Sequence, residues 1–179
     1  MRENWYKWVL AIIVIGSVWY HNFMDVDILF DFNCPDENFK IRIDDDGQTA
    51  YAYVMKNDEI CGDVWLYNRC ETPAEPQWTS PDNLPCPNSA EYVNEESYSI
   101  LPVEEDDFDI DYDLDKDSNL VRAYIYIKGK LIASIAEGDE PGYSNLVSKS
   151  GPIAKNLRDG IPQESINFRF PQVQDEDLE

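Results

Sequence analysis

Strict alternation of apolar and acidic residues constrains this chain more than any other feature. In "FDIDYDLDKDSN", residues 108–119, Phe108, Ile110, Tyr112 and Leu114 fall on one face of an extended strand. Asp107, Asp109, Asp111, Asp113 and Asp115 fall on the other. Side chains of a strand alternate between faces, so this period of two excludes a helix and predicts a β-strand. The stripe belongs to a longer acidic run. From Glu104 to Asp117, nine of fourteen residues are Asp or Glu.

A second strand over 120–127 ("LVRAYIYI") completes a hairpin across the loop Lys116-Asp117-Ser118-Asn119. This register sets Asp113 against Arg122, Asp111 against Tyr124, Asp109 against Tyr126 and Asp107 against Lys128. The apolar partners are Leu114–Val121, Tyr112–Ala123, Ile110–Ile125 and Phe108–Ile127. A slip of one residue puts every Asp against an aliphatic side chain. The acidic stripe is therefore expected as the solvated face of a hairpin strand, relieved by opposite charge at two positions.

The same alternation recurs. "FKIRI" (39–43) and "AYAYVM" (50–55) flank an Asp46-Gly47 turn, a strong hairpin signal. The expected register pairs Ile43 with Ala50, Ile41 with Ala52 and Phe39 with Val54, leaving Arg42–Tyr51 and Lys40–Tyr53 on the other face. A turn at Lys128-Gly129-Lys130 leads into "LIASIA" (131–136). Further strands are expected at 26–32, 63–67, 97–101 and 164–170. One short helix is expected over 152–159, with Pro152 at its first position and Gly160 and Pro162 ending it. Residues 71–87 carry Pro73, Pro76, Pro81, Pro85 and Pro87 and read as a long surface loop. The fold class is mainly β, an antiparallel β-sandwich or a strongly curved sheet.

An apolar segment precedes this domain. Trp8 to Tyr20 carries no charge. Thirteen residues fall short of the roughly 20 that cross a bilayer. However, Trp5, Tyr6 and Trp8 bracket one end, and Trp19, Tyr20 and Phe23 the other, like interfacial belts. No A-x-A site follows the run, and Ile15-Gly16-Ser17 lies inside it. Residues 1–24 are therefore expected to be a membrane anchor with a transmembrane helix over 8–23, a cleaved signal being the alternative. Arg2 and Lys7 precede the segment and Asp25 follows it, which keeps the N-terminus cytoplasmic and exports the rest. In a two-membrane envelope the domain then faces the periplasm from the inner membrane. Residues 25–172 form the expected domain and 173–179 ("VQDEDLE") an acidic tail.

Cys34, Cys61, Cys70 and Cys86 are even in number, and no two of them form a CxxC pair. Two disulfides suit an exported domain. A strand over 63–67 holds Cys61 and Cys70 roughly 30 Å apart, beyond the reach of a bridge. Cys34–Cys61 with Cys70–Cys86 is the expected pairing, and Cys34–Cys70 with Cys61–Cys86 the other.

Charge and missing residues narrow the function. The net charge is −22, and the first 24 residues contribute +1, so residues 25–179 carry −23. Such a domain repels nucleic acid and attracts a basic protein. His21 is the sole histidine and adjoins the apolar segment, so the domain holds no Ser-His-Asp or Cys-His triad and no His-based metal site. No Walker or GxGxxG sequence occurs. No catalytic residue and no cofactor is assigned. Calcium is the sharper chemical alternative. From Asp113, "DLDKDSN" sets Asp113, Asp115 and Asp117 at positions 1, 3 and 5 of a calcium loop, but position 6 is Ser118 and position 12 is Tyr124. Asp44, Asp45 and Asp46 form a second oxygen-rich turn. A carboxylate-based hydrolase needs only two acids, and 36 carboxylates do not single out a pair.

Partner recognition is the reading these exclusions leave. Trp78 on the Pro-rich loop is a candidate anchor. Asp109, Asp111, Tyr124 and Tyr126, with Tyr51 and Tyr53, are the candidate surface for a basic protein. The function classes are an immunity protein or inhibitor against a toxin or lytic enzyme, an accessory subunit of an envelope complex, and a calcium-binding or hydrolytic domain.

Overall fold

Tight turns with left-handed backbone set the strand pairing. The computed structural model describes residues 28–75, 88–94 and 104–160. Strand β3 (Thr49–Lys56) meets β4 (Glu59–Asn68) through Asn57 and Asp58, with φ of 52° and 67°. Strand β6 (Leu120–Ile127) meets β7 (Lys130–Ile135) through Lys128 and Gly129, with φ of 50° and 76°. Positive φ at both central residues matches the twist of the flanking strands, and Asn, Asp and Gly tolerate it best.

These hairpins build two sheets. The first has order β1-β2-β3-β4, all antiparallel, with β1 at Ile28–Asn33 and β2 at Phe39–Asp45. The second has order β5-β6-β7-β8-β9, with β5 at Phe108–Leu114, β8 at Tyr143–Ser144 and β9 at Lys155–Asn156. Its last pair, β8–β9, is parallel and the others antiparallel. The chain is thus mainly β, as the alternation requires. Ile41, Ile43, Ala52, Val54 and Val64 of the first sheet join Ala123, Ile125, Ile127, Ala133 and Ile135 of the second in one core.

Several expectations need correction. The β2–β3 register is shifted by two residues: Asp45 pairs with Ala50, Ile43 with Ala52, Ile41 with Val54 and Phe39 with Lys56. Arg42 faces Tyr53 and Lys40 faces Met55. The turn is tighter than the sequence suggested, because the Asp46 carboxylate accepts the Gln48 and Thr49 N–H groups, both at 2.8 Å. A shift of two preserves the faces, so the sorting of side chains survives. Strand β4 begins at Glu59 rather than 63. The expected helix shrinks to α1 (Leu157–Gly160), because Lys155 and Asn156 pair with β8 instead. The strands expected at 97–101 and 164–170, the transmembrane helix, the signal alternative and the acidic tail lie outside the described residues.

The two sheets are tied along β4. Gly138 N–H donates to Cys61 O at 2.7 Å, Asp63 N–H to Asp139 O at 3.0 Å, Gly142 N–H to Asp63 O at 2.6 Å and Trp65 N–H to Ile153 O at 3.1 Å. Glycine is required for this approach. A Cβ on Gly62 would lie 2.6 Å from the Ala136 carbonyl oxygen, and one on Gly142 2.9 Å from that of Ser134. On the opposite side β1 packs over β5 through aromatic rings. Phe108 lies 5.9 Å from Phe30 and 6.0 Å from Phe32, centroid to centroid.

Cys34, Cys61 and Cys70 are free thiols. The expected Cys34–Cys61 bridge fails on topology. Cys34 follows β1 and Cys61 lies in β4, at opposite edges of a four-stranded sheet. Three strand spacings separate them by roughly 14 Å, about twice the reach of a disulfide. Burial pushes both thiols up in pKa, and the Cys61 thiol donates to Val54 O at 3.4 Å. Cys86, the expected partner of Cys70, lies outside the described residues.

Candidate partner-binding surface

The acidic hairpin forms as its alternation demands. Phe108 pairs with Ile127, Asp109 with Tyr126, Ile110 with Ile125, Asp111 with Tyr124, Tyr112 with Ala123 and Asp113 with Arg122. The one departure is at the loop. A register shift sets Leu114 against Leu120, which turns Val121 outward at 49% exposure. The loop is organised by Asp115. Its carboxylate accepts from Asp117 N–H at 2.8 Å, Asn119 N–H at 2.9 Å and the Asn119 side-chain amide at 2.9 Å. The Asn119 side chain, then its backbone N–H, hold the Asp115 carboxyl below its ordinary pKa. Ser118 completes the turn at φ 66°.

That geometry bears directly on the calcium candidate. The oxygens of Asp115 are engaged in closing the loop, and among the described residues no three His, Cys, Asp or Glu side chains gather closely enough to hold a metal ion. The second oxygen-rich turn is likewise committed. Asp45 points inward and is fully buried, accepting from Tyr67 Oη at 2.8 Å, Arg69 Nε at 2.6 Å and Gly47 N–H at 3.0 Å. Burial first, then the charge and hydrogen bond of Asp45, raise the Tyr67 phenol. Asp46 caps the turn, and Asp44 faces Tyr51.

Around the stripe, opposite charges sit where the register put them. Lys128 Nζ lies 3.6 Å from Asp107, and Lys128 N–H donates to Asp107 O at 2.8 Å. Arg122 stands across from Asp113, while its guanidinium donates to Asp139 and to Ser134 Oγ, both at 3.0 Å, and lies 5.4 Å from the Tyr143 ring centre. The face is less wet than expected. Asp109 is exposed, but Asp111, Asp113 and Tyr124 are half-buried. Tyr126 keeps only 8% exposure, so it packs and offers no ring face to a partner.

The other two tyrosines belong elsewhere. Tyr51 and Tyr53 lie on β3, in the first sheet, and stack at 6.2 Å. Tyr51 is buried. Burial, then Asp44, Asp63 and Asp46, push the Tyr53 phenol up to about 12. The four tyrosines therefore do not share one surface. Burial and the neighbouring Glu140 also raise the Asp63 carboxyl, against the opposing pull of Lys155. Trp78 lies outside the described residues.

Sequence reasoning missed the polar core. Trp65 Nε1 donates to Asn68 Oδ1 at 2.9 Å, Asn88 N–H donates to the same oxygen at 3.0 Å, and the Asn68 amide donates to Asn88 O at 2.8 Å. It also missed Asp36. The Cys34-Pro35-Asp36-Glu37-Asn38 stretch carries a turn signal, but nothing in it announces a contact with Leu120. Comparison with protein-family models, with curated proteins and with solved structures finds no match for this chain.

Proposed function

We propose that this is a membrane-anchored, exported binding protein that recognises a basic protein partner, in the manner of an immunity protein or inhibitor against a toxin or lytic enzyme. Residues 8–23 are the anchor, and residues 25–172 are the binding domain, a β-sandwich of the two sheets. The observation that carries this reading is the charge of −23 on residues 25–179, with exposed Asp109 and half-buried Asp111 and Tyr124 side by side on one hairpin. A field of that sign speeds encounter with a cationic surface and rejects nucleic acid. The free thiols of Cys34 and Cys61 remove part of the disulfide argument for export, which now rests on the aromatic belts and flanking charges of the N-terminal segment.

Affinity capture from membranes tests the reading. The tagged full chain is expected to retain a secreted basic protein, with capture declining steeply as salt rises. Recovery of resident membrane proteins through salt-insensitive contacts supports an accessory subunit of an envelope complex and overturns the inhibitor reading.

A further inference from the structure

Strand β1 forms an edge of the first sheet, and among the described residues no strand pairs with it on the side away from β2. The hydrogen-bond phase follows from one contact. Cys34 N–H donates to Phe39 O at 3.4 Å, in line with the β1–β2 register. Hydrogen-bonded pairs of an antiparallel ladder recur at every second residue, so Phe32–Ile41 and Phe30–Ile43 bond across the pair. The N–H and C=O groups of Leu29, Asp31 and Asn33 then point to the open edge. Their side chains are exposed too, Leu29 at 57%. On the inner face Ile28, Phe30 and Phe32 are half-buried, and the Tyr112 hydroxyl donates to Phe32 O at 3.4 Å. Among the described residues, a half-covered apolar row thus runs along an edge whose outward main chain has no strand partner.

We infer that β1 takes a strand from the basic partner by antiparallel or parallel strand addition, with main-chain bonds to Leu29, Asp31 and Asn33. This rests on the basic-partner reading and adds where and how the partner is held. Strand addition draws affinity from the main chain and specificity from alternate side chains. The incoming strand is amphipathic. Its apolar side chains extend the row of Ile28, Phe30 and Phe32, and its basic side chains lie on the outer face. There they lie one strand spacing from Asp31. Arg42 and Lys40 already engage Asp31, at 2.7 and 3.3 Å, so the attraction comes from the whole domain as well as from this one carboxylate. The same charge disfavours a second copy of this chain as the occupant, since two domains of −23 repel.

The test uses the full chain in detergent with three synthetic ten-residue peptides: alternating Lys-Val, alternating Lys-Gly, and alternating Glu-Val. Lys-Val is expected to bind more tightly than Lys-Gly, Glu-Val not at all, and bound Lys-Val to slow amide exchange at Leu29, Asp31 and Asn33. Leu29→Pro removes only an outward N–H, which an edge strand tolerates. It is expected to weaken Lys-Val about tenfold, the scale of one lost main-chain bond and its register. The exchange readout on the unmodified chain stands whether or not that variant folds. Equal binding of Lys-Val and Lys-Gly without amide protection overturns strand addition while leaving the basic-partner reading intact. Protection centred on β5 overturns the site. Binding of neither cationic peptide overturns both.

Discussion

Asp36 Oδ2 accepts the Leu120 N–H at 3.1 Å, joining residues 84 positions apart. The same carboxylate accepts the Asn38 backbone and side-chain N–H groups, at 3.1 and 2.9 Å. One buried acid therefore shapes the β1–β2 connection and fastens it to the start of β6. Asp36→Ala is expected to lower the melting temperature and to speed amide exchange at Leu120 more than at core positions. Asp36→Asn, which keeps an acceptor oxygen, is expected to lose less. The hydrogen bonds to Asn38, then Leu120, hold the Asp36 pKa down. Arg42 first, and Lys40, hold Asp31 at about 2. Both folded values lie below the unfolded one of about 3.9. Their stabilisation is therefore complete above that pH and declines as pH falls through the folded values. Melting temperature is expected to be insensitive to these groups from neutral to about pH 5 and to drop between about pH 4 and 2.

Asp45 is the more drastic site. It is fully buried against Arg69, which also holds its guanidinium 6.0 Å from the Tyr67 ring centre. Asp45→Ala leaves the Arg69 Nε–H and the Tyr67 hydroxyl without their acceptor. A loss of about 3–5 kcal/mol is expected in denaturant unfolding, the scale of breaking one side of a buried ion pair. A loss under about 1 kcal/mol contradicts the network's structural role.

The acidic hairpin behaves differently. Asp is a poor strand former, and like charges on one face repel. Replacing both Asp109 and Asp111 with Asn is expected to leave melting unchanged or slightly raised. Binding to a basic partner is expected to weaken, mainly through slower association and a shallower dependence on salt. Stopped-flow association at two ionic strengths checks this.

Calcium is expected to leave the melting temperature unchanged, because Asp115 already spends its oxygens on Asp117 and Asn119. Asp115→Ala is expected to loosen the β5–β6 loop, seen as faster exchange at Asn119 and Ser118. A large calcium-dependent rise in melting, abolished by changing Asp113, Asp115 and Asp117, contradicts this account.

Topology is checked by fusion. Alkaline phosphatase joined to the C-terminus is expected to be active and membrane-bound. Release of a soluble mature form after fractionation means that the N-terminal segment is cleaved.

How much of this was legible beforehand differs from element to element. The β5–β6 register could be read from residues alone, because every Asp–aliphatic mismatch argues against a slip. The β2–β3 faces were legible but not their register, since a shift of two leaves each side chain on its own face, and the shift was decided by Asp46 capping two N–H groups. The segment 152–159 carried helix start and stop signals, yet Lys155 and Asn156 joined β8 and the helix begins only at Leu157. Local propensity is a fraction of a kcal/mol per residue and gives way to a sheet partner.

Sequence by itself determined the strand alternation, the acidic stripe, the turns at 46–47, 116–119 and 128–130 and the sign of the charge, all of which depend on residues close together along the chain. Tertiary structure alone decided how the hairpins assemble into two sheets, and with that the separation of Cys34 from Cys61, the burial of Tyr51 and Tyr126, and the roles of Asp36 and Asp45. Each of these depends on groups brought together by packing across two sheets, where a side chain's meaning is set by what lies opposite it and by how little water is left.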